Sequence, residues 1–408
     1  MQQLLVKNIG MLATPEGNTS RKGAQQGEIR VLKDAYVLIR DGVVAEVGTG
    51  ERNVPGAEVI DAGGALVTPG LVDAHTHLIF GGWRQNELGL KLHGATYLDI
   101  LSMGGGILST VNATRAATED ELYDKAREAL DEMLSLGVTT VEAKSGYGLD
   151  LKNELKQLRV IRRLDETHPM DVVPTFLGAH AVPREYTEDR EGYIRLLCEE
   201  IMPAVAKEKL AEFCDVFCET GVFSAEESRV ILEAGKKWGM IPKIHADEIE
   251  PIGGSQLTAQ VGAISAEHLI VCPPAGITAM AKASTVACCL PATSFYLGST
   301  FAPVRDMIDA GVPVAMASDF NPGSCPSLNL QFVMNLGCLK YRMTPEEVLT
   351  AVTLNAAAAI RRADRIGSLE PGKQGDLVIW NAQDLNYVCY RMGSNLVKTV
   401  VKGGRVLG

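Results

Sequence analysis

Two histidines, His75 and His77, end the first of a series of strand-like runs in the sequence, within the segment DAHTH. Side chains two apart on a β-strand point to the same side, so these two imidazoles are expected to face one point. Imidazole is a good ligand for zinc, iron and related ions. A His-x-His pair also arises by chance in cores and on surfaces. The metal interpretation therefore depends on further ligands elsewhere in the chain.

Three more polar residues end strand-like runs of their own. His245 follows IPKI, His268 ends ISAEH and Asp319 ends VAMASD. Each has an ordinary alternative, since His245 could simply close a strand and Asp319 could cap a helix ahead of Asn321 and Pro322. If the strands are parallel and form a barrel, however, all of these polar ends meet at one face. The pattern favours one shared site over unrelated coincidences.

Three neutral imidazoles and one carboxylate drawn from this set suit a single divalent ion. Such an ion lowers the pKa of water from its bulk value towards ~7, which makes hydroxide available near neutral pH. A carboxylate must then take the proton, and Glu248, three residues beyond His245, is the best candidate. The alternative is that Glu248 is a loop carboxylate that faces solvent.

The elements that must position these residues are strands that alternate with amphipathic helices between residues 65 and 361. Capping boxes at Thr118–Glu121 and Ser224–Glu227 mark the starts of two helices. Eight βα units predict an α/β TIM (β/α)8 barrel, and an open doubly wound sheet is the alternative. The eight strand-like runs are ALVTPGLVDAHTH, VTTVEAK, DVVPTFLGAH, CDVFCE, IPKIHA, ISAEHLI, TVACCLP and PVAMASD.

Both ends of the chain have β-strand patterns. Near the start, DAYVLIRDGVVAEVG has alternating apolar runs around an Asp41-Gly42 hairpin signal, and the C-terminal part contains GDLVIWN and a Gly-Gly turn. Neither short segment can build a core by itself. We therefore expect residues 1–64 and 362–408 to form one small β-sandwich domain beside a catalytic barrel at 65–361. The polar, Gly-rich stretch Pro15–Gln26 is expected to be a loop.

Composition narrows the class of protein. The 408 residues are 46% hydrophobic and 22% charged, and 39 Lys and Arg against 50 Asp and Glu give a net charge of −11. This balance argues against nucleic-acid or anionic-membrane partners, although a local arginine could still bind a small anion. The sequence shows no signal peptide, no membrane-length apolar stretch, and nine Cys without a CxxC pair. These features predict a cytoplasmic protein with reduced thiols.

Several longer motifs resemble one family within the metal-dependent amidohydrolase superfamily. HTH specifies only the superfamily, whereas KSGYG and the combination of HADE with DFNPGS are narrower. Together with GSLEPGKQGDLVIW near the end, they make the whole chain similar to the imidazolonepropionase family. The resemblance implies hydrolytic ring opening of 4-imidazolone-5-propanoate to N-formimidoyl-L-glutamate in histidine degradation.

The resemblance also assigns roles to residues. It implies one divalent or trivalent ion per chain, Zn or Fe, with Glu248 as general base and His180 and His268 beside the reacting group. A small anionic substrate and a possible homodimer are implied too. The implied metal ligands are His75, His77, His245 and Asp319. The implied substrate contacts are Arg84, Tyr97, Tyr147, His180, Glu248, Asn321, Gly323 and Ser324. The planar fork of Arg84 suits the propanoate carboxylate, although a surface ion pair is its alternative.

Three alternatives stay open at this point. Lys144 also ends a strand-like run, so a carbamylated lysine bridging two metals is conceivable. Another amidohydrolase, such as a nucleobase deaminase, would use the same metal ligands. A non-catalytic protein on this scaffold is a third possibility, although such relatives usually lose the ligands. His93 and His168 have no assigned role.

Overall fold

Sixteen β-strands form two sheets in the computed structural model, which describes residues 2–94 and 105–407. One sheet contains strands from both ends of the chain, and the other contains the eight central strands. The strands are β1 (Gln3–Thr14), β2 (Arg30–Arg40), β3 (Val43–Thr49), β4 (Glu58–Asp61), β5 (Leu66–Pro69), β6 (Leu71–Thr76), β7 (Val138–Lys144), β8 (Asp171–Ala179), β9 (Phe213–Cys218), β10 (Ile241–Ala246), β11 (Ser265–His268), β12 (Val286–Cys289), β13 (Val314–Met316), β14 (Leu377–Trp380), β15 (Val397–Lys402) and β16 (Arg405–Leu407).

The central sheet is the predicted barrel. Strands β6 to β13 lie side by side in chain order and all their pairings are parallel. The barrel closes between β6 and the segment that follows β13, where the Asp319 amide donates to the His75 carbonyl at 3.1 Å and the His77 amide donates to the Phe320 carbonyl at 2.9 Å. Since these are the metal-ligand segments, closing the barrel also brings the candidate ligands together.

Helices connect the barrel strands and cover their outer side. The predicted capping boxes at Thr118–Glu121 and Ser224–Glu227 are both present, and a third occurs at Thr344–Glu347. No helix within residues 2–94 and 105–407 is long and apolar enough to cross a membrane. The α-helices of the described residues are Asn86–Leu92, Ile107–Ala116, Glu119–Ser135, Leu151–Thr167, Arg190–Arg195, Met202–Glu208, Ala225–Lys237, Gly254–Val261, Pro274–Ala283, Pro291–Leu297, Val304–Asp309, Leu330–Tyr341, Pro345–Ala351, Leu354–Ala359 and Leu385–Tyr390.

The terminal strands form the small β-domain, in the order β16-β15-β14-β5-β1-β2-β3, with β4 also paired to β1. Alternate residues on a strand face opposite sides, and β14 shows how this joins the two units. Leu377 and Ile379 lie in the core of the β-domain, whereas Val378 and Trp380 belong to the large apolar cluster of the barrel. The continuous apolar run LVIW therefore reflects burial on both faces.

The first strand-like run, residues 65–77, is two strands rather than the single barrel strand expected. β5 pairs with β1 and β14 in the terminal sheet, and β6 begins the barrel. The chain crosses between the two sheets at Gly70, where a Cβ atom would lie 2.3 Å from Thr139 Oγ1. A larger residue does not fit at this crossing, and Pro69-Gly70 is the local signal for the break.

The predicted loop Pro15–Gln26 is anchored at its end by a short 3₁₀ helix, Gly23–Gly27. The Gln26 side chain is buried and binds both backbone groups of Val314, donating at 3.0 Å and accepting at 3.1 Å. Val314 begins β13, so this segment holds the end of the barrel opposite the candidate ligands.

Candidate active site

The candidate residues gather at the carboxyl ends of the barrel strands. His75, His245 and His268 lie on β6, β10 and β11, while His180 and Asp319 follow β8 and β13 closely. His180, His245, His268 and Asp319 line one cavity of about 580 Å³. The cavity is also lined by other predicted site residues, namely His77, Arg84, Tyr147, Glu248, Asn321, Gly323 and Ser324. Tyr97 lies outside the described residues.

At the base of the cavity, the ligand atoms of four residues face one another. Asp319 Oδ1 lies 3.4 Å from His75 Nε2 and 3.4 Å from His77 Nε2, and His77 Nε2 lies 3.4 Å from His245 Nε2. The ligand atoms of His75, His77 and His245 lie within 4.8 Å of one another, as do those of His75, His268 and Asp319. His268 is thus close enough to be a further neighbour of a bound ion.

The chemistry of this cluster fits a cation. All four residues are buried, and neither His75 Nε2 nor Asp319 Oδ1 has a hydrogen-bond partner within the described part of the chain. Burial opposes charge on His75, yet the nearby carboxylates of Asp319 and Glu267 raise the pKa of His75 to about 9. A centre that stabilises a proton so strongly also stabilises a metal ion in its place.

Buried carboxylates hold the outer nitrogen of two of these histidines. Glu267 Oε2 lies 2.9 Å from His75 Nδ1, and Asp215 Oδ2 lies 3.1 Å from His245 Nδ1. Such contacts place the proton on Nδ1 and leave Nε2 free to bind the metal. Burial lowers the pKa of His245 to about 3, so this imidazole is neutral, as a ligand must be.

Two buried lysines balance these carboxylates. Lys144 Nζ lies 2.7 Å from Glu142 and 2.9 Å from Asp215, and Lys243 Nζ lies 3.3 Å from Glu267. Burial opposes the charge of Lys144, but Glu142 and Asp215 outweigh it and raise its pKa. Lys144 is therefore held as an ammonium group, which argues against its use as a carbamylated bridge between two metals.

His180 stacks on a metal-site histidine. Its ring lies 4.8 Å from that of His77, at an angle of 15°. Burial lowers the pKa of His180 well below its ordinary value, so the ring is neutral. Its Nδ1 lies 3.1 Å from the Gly146 carbonyl, which can only accept a hydrogen bond, so Nδ1 carries the proton. The other nitrogen, Nε2, is then an acceptor.

Glu248 lies above the cluster on a loop with a fixed backbone. Its Oε2 is 3.6 Å from His268 Nε2, and 15% of its side chain is exposed. The buried Glu219 carboxylate accepts hydrogen bonds from the amides of Ile249 at 2.8 Å and Glu250 at 3.1 Å. Glu219 thereby fixes the segment that follows Glu248.

The loop after β13 is organised by Asn321. Its side-chain oxygen accepts hydrogen bonds from the amides of Gly323 and Ser324, both at 2.8 Å. Its nitrogen donates to the Asp319 carbonyl at 2.7 Å and to Ser324 Oγ at 2.9 Å. These bonds occupy the side-chain amide, so in this arrangement Asn321 shapes the loop that carries the other two residues.

Left-handed backbone occurs at residues around this centre that are not glycine. Asp247, His268 and Asp319 have φ angles of 51°, 67° and 58°. Such conformations cost of order 1–3 kcal/mol each and occur where the surrounding structure holds a functional group in place. Here they turn the chain at the ends of β10, β11 and β13.

Sequence reasoning missed the residues that support the ligands. Asp215 and Glu267 stand within runs predicted to be buried strands, and a charged residue in such a run was the available signal. Thr293 Oγ1 also donates to Asp319 Oδ2 at 2.6 Å, and nothing in its sequence surroundings indicates that contact. The missed supporting residues are Glu87, Glu142, Asp215, Glu219, Lys243, Glu267 and Thr293.

The Glu267 contact generates a prediction about metal affinity. We expect Glu267→Gln to weaken metal binding about 10–100-fold, because His75 loses the carboxylate that fixes its ring and its proton. Competition with a chelator measures this affinity directly. Glu233→Gln, at an ion pair with Lys236 on the outer helix Ala225–Lys237, serves as a control that leaves the affinity unchanged. Wild-type affinity in Glu267→Gln would contradict the role given to this carboxylate.

Comparisons with known proteins agree with this geometry. Residues 66–407 match the amidohydrolase family model. The chain is 52% identical to an imidazolonepropionase of Alkaliphilus metalliredigens, over 100% of this chain and 98% of the relative. Among solved structures, a triazine hydrolase variant superposes with a TM-score of 0.76 at 18% identity, covering 100% of this chain and 95% of that one. An adenosine deaminase from Xanthomonas campestris with bound zinc has a TM-score of 0.72 at 20% identity, over 99% and 92% of the two chains. The chain belongs to the amidohydrolase family and, within it, to the imidazolonepropionases.

Proposed function

We propose that this protein hydrolyses 4-imidazolone-5-propanoate to N-formimidoyl-L-glutamate, a step of histidine degradation. The observation that carries the proposal is that Arg84 lines the same cavity as Glu248 and the His/Asp cluster. An arginine fork suits the propanoate carboxylate, and the cluster suits hydrolysis of the cyclic amide. The name of the Alkaliphilus relative points to the same substrate.

One metal ion per chain is part of this proposal. His75, His77, His245 and Asp319 would hold it, since their ligand atoms face one another and carry the buried charge that a cation requires. When bound, a divalent ion supplies Lewis acidity and lowers the pKa of water. Zinc and iron both suit three imidazoles and one carboxylate. The zinc in the deaminase with the same fold favours zinc.

The side chains above the ion would move the proton. Glu248 accepts a proton from the attacking water and later delivers it to the ring nitrogen as the C–N bond breaks. His268, with Nε2 3.6 Å from Glu248, is placed to stabilise the oxyanion. His180 is neutral and presents an acceptor nitrogen, so its proposed role is to accept a hydrogen bond from a ring N–H of the substrate.

The substrate would bind between the metal cluster and the cavity mouth. Arg84 would take the propanoate, with Gly323 and Ser324 close by on the loop after β13. Tyr147 is buried beside His77, with ring centroids 5.9 Å apart, and would cover one side of the bound ring. Tyr97 completes the proposed set of contacts.

The remaining parts of the proposal concern the whole chain. We propose a composite β-domain from 1–64 and 362–408, to which β5 also contributes, with catalysis confined to the barrel within 65–361. A cytoplasmic location, a small anionic substrate and a homodimer complete it. Sedimentation of the intact protein distinguishes a dimer from a monomer.

Turnover of the freshly prepared substrate tests the function. We expect loss of the ultraviolet absorbance of imidazolone propanoate, together with appearance of N-formimidoyl-L-glutamate. Ammonia release from guanine, cytosine or adenosine with no activity on imidazolone propanoate would instead identify a deaminase. Neither reaction in metal-loaded protein would indicate a non-catalytic protein.

The role of Glu248 gives a first prediction about catalysis. We expect Glu248→Gln to lower kcat about 10²–10⁴-fold, because the amide cannot accept and return the proton. The variant should still bind one metal ion per chain, since Glu248 is not among the proposed ligands. Glu250→Gln, on the same loop, is the matched control with normal turnover. Near-full turnover in a metal-loaded Glu248→Gln protein would refute the assignment.

The electrostatics of Glu248 give a second prediction. Burial raises the pKa of Glu248, with nearby Asp319 and Glu219 adding to the effect and His268 opposing it. Only the ionised carboxylate accepts a proton, so kcat/KM should fall as the pH drops through this raised pKa. Glu219→Gln removes one of the charges that raise the pKa of Glu248. The acid limb of the kcat/KM profile should therefore move to lower pH. A pH profile of both proteins at equal metal content measures the shift, and an unmoved or higher limb would contradict it.

A further inference from the structure

Arg84 is held in place by a buried carboxylate in the wall of the cavity. Glu87 is 2% exposed, and its Oε1 and Oε2 accept hydrogen bonds from Arg84 Nε at 3.0 Å and Nη2 at 2.9 Å. Two parallel bonds of this kind fix the plane of the guanidinium as well as its position. Both residues line the cavity that contains Glu248 and the His/Asp cluster.

This pairing leaves a defined edge of Arg84 available. A guanidinium has five N–H donors, and Glu87 uses the edge formed by Nε and Nη2. The terminal edge, formed by Nη1 and the second hydrogen of Nη2, has the spacing to bind another carboxylate with two bonds. Arg84 Nη1 lies against Gly323, where a Cβ atom would be only 2.2 Å away. The terminal edge is thus set beside the loop after β13.

Glu87 also joins this arginine to the neighbouring backbone. Its Oε1 accepts a third hydrogen bond, from the Gly106 amide at 2.7 Å. Gly106 has a φ of 72° and precedes the helix Ile107–Ala116. One buried carboxylate therefore fixes Arg84 and the start of that helix together.

From this geometry, we infer that Glu87 is a positioning residue that determines specificity for a substrate carboxylate by presenting the Nη1/Nη2 edge of Arg84. The inference rests on the proposed function, because Arg84 must meet a carboxylate of the substrate. In this role Glu87 acts on the substrate through Arg84. Its effect should therefore appear in the binding of the carboxylate-bearing tail and hardly at all in the proton transfers at the ring.

The variant Glu87→Gln tests this inference. A glutamine keeps the size of the side chain, but its amide group would place donors against the donors of Arg84 or Gly106. We expect KM for imidazolone propanoate to rise about 10–100-fold, the effect of losing a charge-assisted hydrogen bond, with kcat nearly unchanged. For the carboxamide analogue of the substrate, which lacks the charge, kcat/KM should hardly change. Metal content and Tm are measured on the same samples.

A second Arg–Glu pair provides the matched control. Arg229 and Glu226 also lie three residues apart and make a two-bond contact, but on the surface of a helix. Glu226→Gln should leave both constants at wild-type values. If Glu87→Gln does not fold, Glu87→Asp, which keeps the charge at a shorter reach, is measured in its place and should show a smaller rise in KM.

The outcomes separate the two claims. An unchanged KM, or an equal loss for the acid and its carboxamide, would overturn the role of Glu87 while leaving the proposed function intact. A wild-type protein without activity on imidazolone propanoate would overturn the proposed function itself. A rise in KM for imidazolone propanoate, with no matching loss for its carboxamide, supports both the role of Glu87 and the proposed function.

Discussion

Buried charge at the carboxyl end of the barrel is the constraint on which this structure depends. Four buried carboxylates, those of Glu142, Asp215, Glu267 and Asp319, lie among two buried ammonium groups, those of Lys144 and Lys243. These six groups alone leave two negative charges out of water, and such charges are tolerated only when they are paired. A proton on His75, whose pKa is raised to about 9, offsets one of these charges, and a divalent ion among the histidines would offset both. The same carboxylates fix the imidazole rings of His75 and His245 and hold Lys144 in its ionised form, while burial keeps His245 neutral.

The register of the barrel strands places these charged groups next to one another. Pairing of β10 with β11 sets His245 opposite Glu267, while closure between β6 and the segment after β13 brings His75 next to Asp319. Each contact joins residues far apart in sequence, so a slip of one residue would send a charged group to the wrong face. Gln26 anchors the start of β13, and the terminal sheet packs against the barrel. These contacts stabilise the end of the barrel opposite the candidate ligands. They offset the cost of the left-handed backbone at Asp247, His268 and Asp319.

Much of this arrangement could be predicted from sequence, for identifiable reasons. The barrel strands are short apolar runs, and His75, His245, His268 and Asp319 mark their ends, so periodicity and position were sufficient to place them. The supporting contacts could not be predicted, because pairs such as Asp215 with His245 depend on which strands adjoin and in what register. The division of residues 65–77 into β5 and β6 was missed because both strands are buried throughout and form one strand-like run, although the turn signal Pro69-Gly70 stands between them. The capping boxes could be predicted because each depends on two residues only three positions apart in sequence.

We infer that one metal ion completes this charge balance and makes the cavity catalytic. Metal-free protein can be titrated with zinc while bound metal and turnover of imidazolone propanoate are followed on the same samples. Activity should rise in proportion to bound zinc and reach its maximum at one ion per chain. Full activity without metal, or a requirement for two ions per chain, would contradict it.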